Sequence, residues 1–194
     1  MKRRLFIAIN IDPQARRAIG KIEKEAEDAF GREWGTRIRF MSEENWHITI
    51  SFLGTQDDAS LTAIMEAARG AANRFPAPDI SFAEVSYAPK KDNPRMIWIK
   101  TSPATSLELG EIKNALEGFL NDAGVRFERE ARTFSGHITL ARLEGGGALG
   151  GLPPVERKLV IHCTGASLDL VESQLDRGGA KYAVLQEFPF SKME

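Results

Sequence analysis

The chain has 194 residues, of which 42% are hydrophobic and 27% charged, with a net charge of −1. That is enough for one sizeable domain or two small lobes sharing a core, and it excludes both disorder and a strongly basic protein that coats long nucleic acid. No run approaches the roughly 18 apolar residues that span a bilayer, so no membrane partner is expected.

Lys2-Arg3-Arg4 ahead of Leu5 to Ile9 imitates the start of a signal peptide, but Asn10 and Asp12 interrupt the apolar run. A charged helix follows with no small-residue cleavage site, so the segment reads as the first strand of a cytoplasmic protein. The single Cys163 excludes an intrachain disulfide and fits a reducing compartment. Its apolar neighbours Leu159, Val160 and Ile161 make it a buried strand thiol, not a nucleophile.

After the strand Arg4 to Ile9, Asp12-Pro13 supplies an N-cap and a first-turn proline. The helix that follows has the stripe Ala15, Ala18, Ile19, Ile22, Ala26, Ala29, Phe30 and ends at Gly31. A strand over about Trp46 to Leu53 leads to a second helix with Leu61, Ile64, Met65, Ala68 and Ala72 on one face. Ile80 to Tyr87 and Met96 to Lys100 read as strands joined by the polar loop Pro89 to Pro94. A third helix carries Leu109, Ile112, Leu116, Phe119 and Leu120 and stops near Gly124. Strands at His137 to Arg142, Leu159 to Cys163, Ala166 to Ser173 and Lys181 to Leu185 complete the chain. Strands bunch in pairs instead of alternating with helices, which predicts an α+β fold with mainly antiparallel sheets. The stretch Gly145 to Gly151 lacks the Lys-Ser/Thr ending of a phosphate-binding loop and reads as a surface loop.

One phrase occurs twice: His47-Ile48-Thr49-Ile50 and His137-Ile138-Thr139-Leu140, 90 residues apart. Alternation predicts Ile48, Ile50 and Phe52 on one face of the first strand, with His47, Thr49 and Ser51 on the other. In the second, Ile138 and Leu140 oppose His137 and Thr139. Each strand then anchors in a core while an imidazole and a hydroxyl, about 6.5 to 7 Å apart, point together the other way. One copy per half of the chain predicts a single duplicated, two-lobed domain over 1–194 with one motif strand per lobe.

Imidazole gives or takes a proton near neutral pH. Two imidazoles flanking one phosphorus can divide an in-line displacement, one acting as base toward water and the other as acid toward the leaving oxygen. The threonines would hold the non-bridging phosphate oxygens as charge builds. This scheme needs neither metal nor cofactor. A zinc site is the rival, yet the two histidines come with threonines, not with Cys, Asp or Glu at ligand spacing. Spacing alone does not say which histidine is acid and which is base.

Four segments carry a resemblance: Arg4-Leu5-Phe6-Ile7-Ala8-Ile9; Asn45-Trp46-His47-Ile48-Thr49-Ile50-Ser51-Phe52-Leu53-Gly54; His137-Ile138-Thr139-Leu140-Ala141-Arg142; and a tail with Ser173, Leu175, Tyr182, Leu185, Phe188 and Pro189. Together they resemble the two-histidine (2H) phosphoesterases, and within them the RNA 2′,3′-cyclic phosphodiesterases often labelled 2′-5′ RNA ligases. The resemblance implies a bilobal α+β fold with the motifs facing across a central cleft, and hydrolysis of RNA ends or nucleotides bearing a 2′,3′-cyclic phosphate to a 2′-phosphate, with His47 as proton donor and His137 as proton acceptor. Ligation through a 2′-5′ bond is the same displacement run backward, and a non-catalytic RNA-end binding module is the reading from a different class. The members usually carry proline before the second histidine; here Gly136 stands there and loosens that approach, so His137 needs support from its neighbours.

Arg132 could meet the phosphate or nucleotide through its planar fork, or be a solvated arginine among Arg126, Arg129 and Arg132. Phe6 could stack on a terminal base or belong to the core. Trp46 faces away from His47 and belongs to the core. His162, followed by Cys163 and Thr164, satisfies the bare motif but lacks its context and reads as structural. The active form is expected to be a monomer.

Overall fold

The computed structural model describes residues 1–90, 93–144, 151–176 and 179–191. Its order is β1 (Lys2–Asn10), α1 (Pro13–Phe30), β2 (Ile38–Phe40), β3 (His47–Asp57), α2 (Leu61–Arg74), β4 (Asp79–Ala88), β5 (Met96–Thr101), α3 (Pro103–Asp122), β6 (His137–Leu143), β7 (Arg157–Thr164), β8 (Ser167–Asp176) and β9 (Gly179–Pro189). The glycine-rich loop, apart from Gly151, lies outside the described residues.

Helix α1 starts where the sequence places it. Asp12 caps α1 by accepting from the Ala15 amide at 2.7 Å, and Ser102 caps α3 by accepting from the Thr105 amide at 3.1 Å. In α1, Ala15, Ile19, Ile22, Ala26 and Phe30 are buried, whereas Ala29 is exposed. Gly31 ends the helix at φ 61°, a left-handed conformation that glycine adopts without strain.

Two antiparallel sheets form, ordered β3-β1-β8-β9 and β2-β6-β5-β4-β7. Apart from β2, the second repeats the first: a motif strand, its antiparallel neighbour, then two further strands. The expected α+β, two-sheet, duplicated fold is the one observed, with one motif strand in each sheet. One apolar cluster, including Ile9, Ile48, Ile50, Ile99, Ile138 and Leu140, runs through both halves.

The repeat extends to register. Asn10, Ile9 and Ala8 of β1 lie opposite His47, Ile48 and Thr49, after which the pairing skips Ile50 and resumes at Ile7 with Ser51. Lys100, Ile99 and Trp98 of β5 lie opposite His137, Ile138 and Thr139, after which it skips Leu140 and resumes at Ile97 with Ala141. Each motif strand thus carries a β-bulge at its fourth position, and the extra residue reverses the alternation beyond it. This corrects the expected face of Phe52 and Ser51: Phe52 is 63% exposed and Ser51 is buried.

Inward-facing Ser51 meets a buried polar cluster. Its hydroxyl donates to Glu117 Oε1 at 3.0 Å, and Lys113 Nζ donates to the same oxygen at 2.6 Å. Arg129, in the segment between α3 and β6, stands 3.5 Å from Glu117 Oε2. Gln56 Nε2 reaches that segment too, donating to the Arg126 carbonyl at 2.8 Å.

The short strand β2, not foreseen in the sequence, pairs with β6 through Ile38, Arg39 and Phe40. Beyond it the Met41 amide donates to the carbonyl of Leu140, the skipped residue of the second bulge, at 2.9 Å. Trp46 is fully buried and its indole N–H donates to the Met41 carbonyl at 3.1 Å.

Glu117→Gln leaves the Lys113 ammonium buried without its counter-charge, and breaking a buried pair from one side costs about 3–5 kcal/mol. A urea midpoint lowered accordingly in Glu117→Gln, and largely restored in the double variant Glu117→Leu with Lys113→Met, is the expected outcome of equilibrium denaturation.

Candidate active site

The two motif strands come together. β3 and β6 lie against each other, and the imidazoles are near enough that charge on His137 opposes charge on His47. His47, Thr49, His137 and Thr139 are all half-buried on the faces opposite Ile48, Ile50, Ile138 and Leu140.

Both rings are held in the same manner. His137 Nδ1 lies 2.8 Å from the Ser135 carbonyl, two residues back, and the His47 ring bonds the Asn45 carbonyl, again two residues back. A carbonyl oxygen only accepts, so the bonded ring nitrogen carries the hydrogen and the other is left for chemistry. Each ring also lies on an aromatic: Phe6 stacks on His47 with centroids 4.9 Å apart, and Trp98 on His137 at 3.7 Å and 21°. Tyr182 meets both Phe6 and His47 edge-on, at 5.2 and 5.1 Å.

The backbone before each histidine is braced. Arg16 on α1 donates to the Glu43 carbonyl and, at 3.2 Å, to that of Trp46, clamping the turn that enters β3. Ahead of His137, the Gly136 carbonyl accepts from the Thr101 amide at 2.9 Å and from its hydroxyl at 3.1 Å. The Gly136 amide donates to Ser106 Oγ at 3.2 Å. The glycine found where the resemblance expects proline is therefore fixed by three hydrogen bonds, one of which proline could not make.

Burial pushes the His47 imidazole down to about 4, helped by the positive charges of Arg16 and His137 and opposed by the Asn45 carbonyl. His137 is also lowered, first by burial and then by Arg132 and Lys100, against the Ser135 carbonyl and Glu130. A hollow of about 500 Å³ opens beside His47, lined by Asn10, Arg16, Glu43, Glu44, Val171, Tyr182 and Val184. Asn10, opposite His47 in the sheet, donates its amide to buried Asp169. Lys100, opposite His137, pairs with Glu84 at 3.3 Å.

The other expected residues fall as follows. Phe6 is only 2% exposed, covered by His47 and Tyr182, while neighbouring Phe52 is open to solvent. Arg132 is exposed, within reach of the charge on His137, and paired with Glu130 at 2.6 Å. His162 lies on the edge strand β7, where its Nδ1 is 2.9 Å from Ser81 Oγ. Cys163 is buried, with its thiol pushed up to about 11 by desolvation. Arg16, Trp98 and Lys100 were not singled out in the sequence. Trp98 and Lys100 alternate with Met96 on β5, but only the register against β6 places them beside Thr139 and His137. No group of three or more His, Cys, Asp or Glu side chains among the described residues could hold a metal ion, and no helix among them is long and apolar enough to cross a membrane.

Paired His/Thr strands that meet can work on a phosphoester, and comparison with known proteins gives the same class. Residues 9–98 match the family model described as LigT like Phosphoesterase. An Aeropyrum pernix protein named RNA 2′,3′-cyclic phosphodiesterase is 31% identical over 157 residues, covering 79% of this chain and 86% of the relative. One of the same name from Thermotoga maritima is 29% identical over 142 residues, covering 73% and 70%. Among solved structures, a Thermus thermophilus protein superposes with a TM-score of 0.79 at 21% identity over 98% of this chain and all of that one. E. coli LigT complexed with 3′-AMP superposes at 0.76 and 20% identity over 99% of this chain and all of that one, a likeness of fold. The chain belongs to the LigT-like, two-histidine phosphoesterase family, and is an enzyme of the phosphoric diester hydrolase class.

A Cβ built on Gly136 would meet Thr101 Oγ1 at 2.6 Å and Thr101 Cγ2 at 3.1 Å. Gly136→Ala should therefore cost about 1–3 kcal/mol of stability and lower turnover. Thr101→Ala in the same chain should recover part of both, read by thermal melting and steady-state rates.

Proposed function

We propose that this enzyme hydrolyses 2′,3′-cyclic phosphate at RNA ends or on nucleotides to a 2′-phosphate, using His47 as proton donor and His137 as proton acceptor without a metal. The observation that carries the reading is the matched pair of imidazoles, each tied by a carbonyl two residues back so that one ring nitrogen remains for proton transfer. The names of the relatives support the substrate class.

In this reading the cyclic phosphate lies between the motif strands. His137 Nε2 takes a proton from water, whose oxygen attacks phosphorus in line with the P–O3′ bond. That bond breaks, O3′ takes a proton from the free nitrogen of His47, and the phosphate stays on the 2′-oxygen. Thr49 and Thr139 hydrogen-bond the non-bridging oxygens as their charge grows, and Arg132 adds positive potential near His137. Phe6, its faces covered, supports the His47 ring; Tyr182 and Phe52 are the aromatics left to meet a base.

The two imidazoles differ in setting. Burial lowers His47 to about 4, and an imidazolium so lowered gives up its proton readily, as a donor to O3′ should. Around His137 the Ser135 carbonyl and Glu130 favour the charged form that ends the step, against burial, Arg132 and Lys100. Both motifs come from one chain, which fits a monomer, and a lone buried thiol fits the cytoplasm.

His47→Ala and His137→Ala should each lose at least 100-fold in turnover on an oligonucleotide ending in a 2′,3′-cyclic phosphate. Wild-type activity should survive a chelator and yield a 2′-phosphate; full turnover by either variant, or a 3′-phosphate product, would overturn the reading.

The pH dependence follows from the sign of the shifts. Hydrolysis needs one imidazole protonated and its partner free, so the rate peaks between the two apparent pKa values of the pair. Both are lowered in the free enzyme, so kcat/KM should peak below about pH 6.5. A bound phosphate favours the imidazolium forms, so kcat should peak at higher pH. Coinciding optima at or above neutrality would contradict this.

A further inference from the structure

On the cleft-facing side of the second sheet, one cross-strand row runs from Ser86 through Trp98 to Thr139, and the next from Glu84 through Lys100 to His137. Trp98 leans across these rows onto the imidazole. The rings are nearly parallel, at 21°, with centroids 3.7 Å apart, a closer stack than Phe6 makes on His47. The indole is 8% exposed, and its N–H has no acceptor among the described residues. In Trp46, by contrast, the N–H is tied to the Met41 carbonyl. What Trp98 gives the His137 ring is its π-face.

We propose that Trp98 is a positioning residue for His137: its indole face fixes the plane of the imidazole and favours the imidazolium that forms when His137 takes a proton from water. This rests on the reading of His137 as proton acceptor. A cation over an indole face is attracted by the ring quadrupole, most strongly where water is excluded. Two constraints fix the ring. The Ser135 carbonyl holds one nitrogen in the plane, and the indole blocks tilting out of it, so the other nitrogen keeps its aim.

The charged groups facing His137 are Lys100 from β5, Arg132 and Glu130 from the segment ahead of β6, and His47 from β3. Lys100, Arg132 and His47, once charged, oppose a positive His137; Glu130 offsets only part of that. On the other side of the balance stand the Ser135 carbonyl at 2.8 Å in the ring plane and the π-face stacked against it. Trp is the strongest such face and Phe the next, whereas an aliphatic side chain fills space without a quadrupole.

The test is the titration of His137 in the substrate-free protein, followed by NMR of its ring carbons, for wild type, Trp98→Phe and Trp98→Leu. The His137 midpoint should fall by roughly half to one pH unit in Trp98→Leu and less in Trp98→Phe, with a smaller change at His47, which feels the charge on His137. Turnover should drop about three- to tenfold in Trp98→Leu with little change in KM, and Trp98→Phe should restore most of it. Should Trp98→Leu fail to fold, fluorinated tryptophan weakens the ring quadrupole at constant shape, and the His137 midpoint should fall as fluorines are added. An unmoved midpoint, or equal losses in the Phe and Leu variants, would overturn the proposal. Because the titration needs no turnover, it stands apart from the assignment of His137 as base, which fails instead if His137→Ala keeps full activity.

Discussion

The hydrogen bond from the Met41 amide to the Leu140 carbonyl ties the two histidines to one frame. Leu140 is three residues beyond His137, and Met41 is six residues ahead of His47. The residue that accepts the bond is the one the β-bulge leaves out of register with β5, so its carbonyl is free to take a partner outside the ladder. Through this contact the edge strand β2 belongs to the second sheet while the chain just beyond it delivers the first sheet's motif. Trp46 locks the same span from below by bonding back to Met41. Apolar packing is non-directional, so this span is one of the directional ties that set the distance between the imidazoles.

The site's supports fall into two kinds. Polar braces act on the backbone ahead of each histidine, Arg16 at the first and Thr101 with Ser106 at the second. Aromatic faces act on the rings themselves. The braces are not related by the internal repeat, although the strands they serve are; each half has solved the same mechanical problem with the side chains at hand. The buried cluster of Lys113, Glu117 and Ser51 adds a third tie, reaching through Arg129 to the segment that leads into His137.

Much of this was legible in the sequence because it depends on period and punctuation. The Asp12-Pro13 start of α1, the stripes of the three helices and the Ile-flanked motif strands are local signals. They form where the spacing puts them, apart from Ala29 and Phe119, which are exposed. The bulges were not legible. An inserted residue in a ladder leaves no mark in composition, so strict alternation carried Phe52 to the wrong face and Ser51 out of the core. The three-residue β2 is too short for a periodic signal, and its pairing with β6 joins positions about a hundred residues apart. The paired histidines could be read directly, but Trp98 and Lys100 acquire meaning only once β5 is laid against β6, and Arg16 only once α1 is docked beside the turn before β3. Sequence shows which groups can do chemistry; long-range register decides which groups hold them.

The repeat that builds the cleft is exact in strand order and broken in what the strands display. At equivalent places one half presents Asn10 and the other Lys100, one Phe52 and the other Arg142, one Ala8 and the other Trp98. Two identical walls would be interchangeable, with neither imidazole set apart as acid or as base. Divergence of the walls gives the groove a heading, so a molecule whose two ends differ has one way to lie in it.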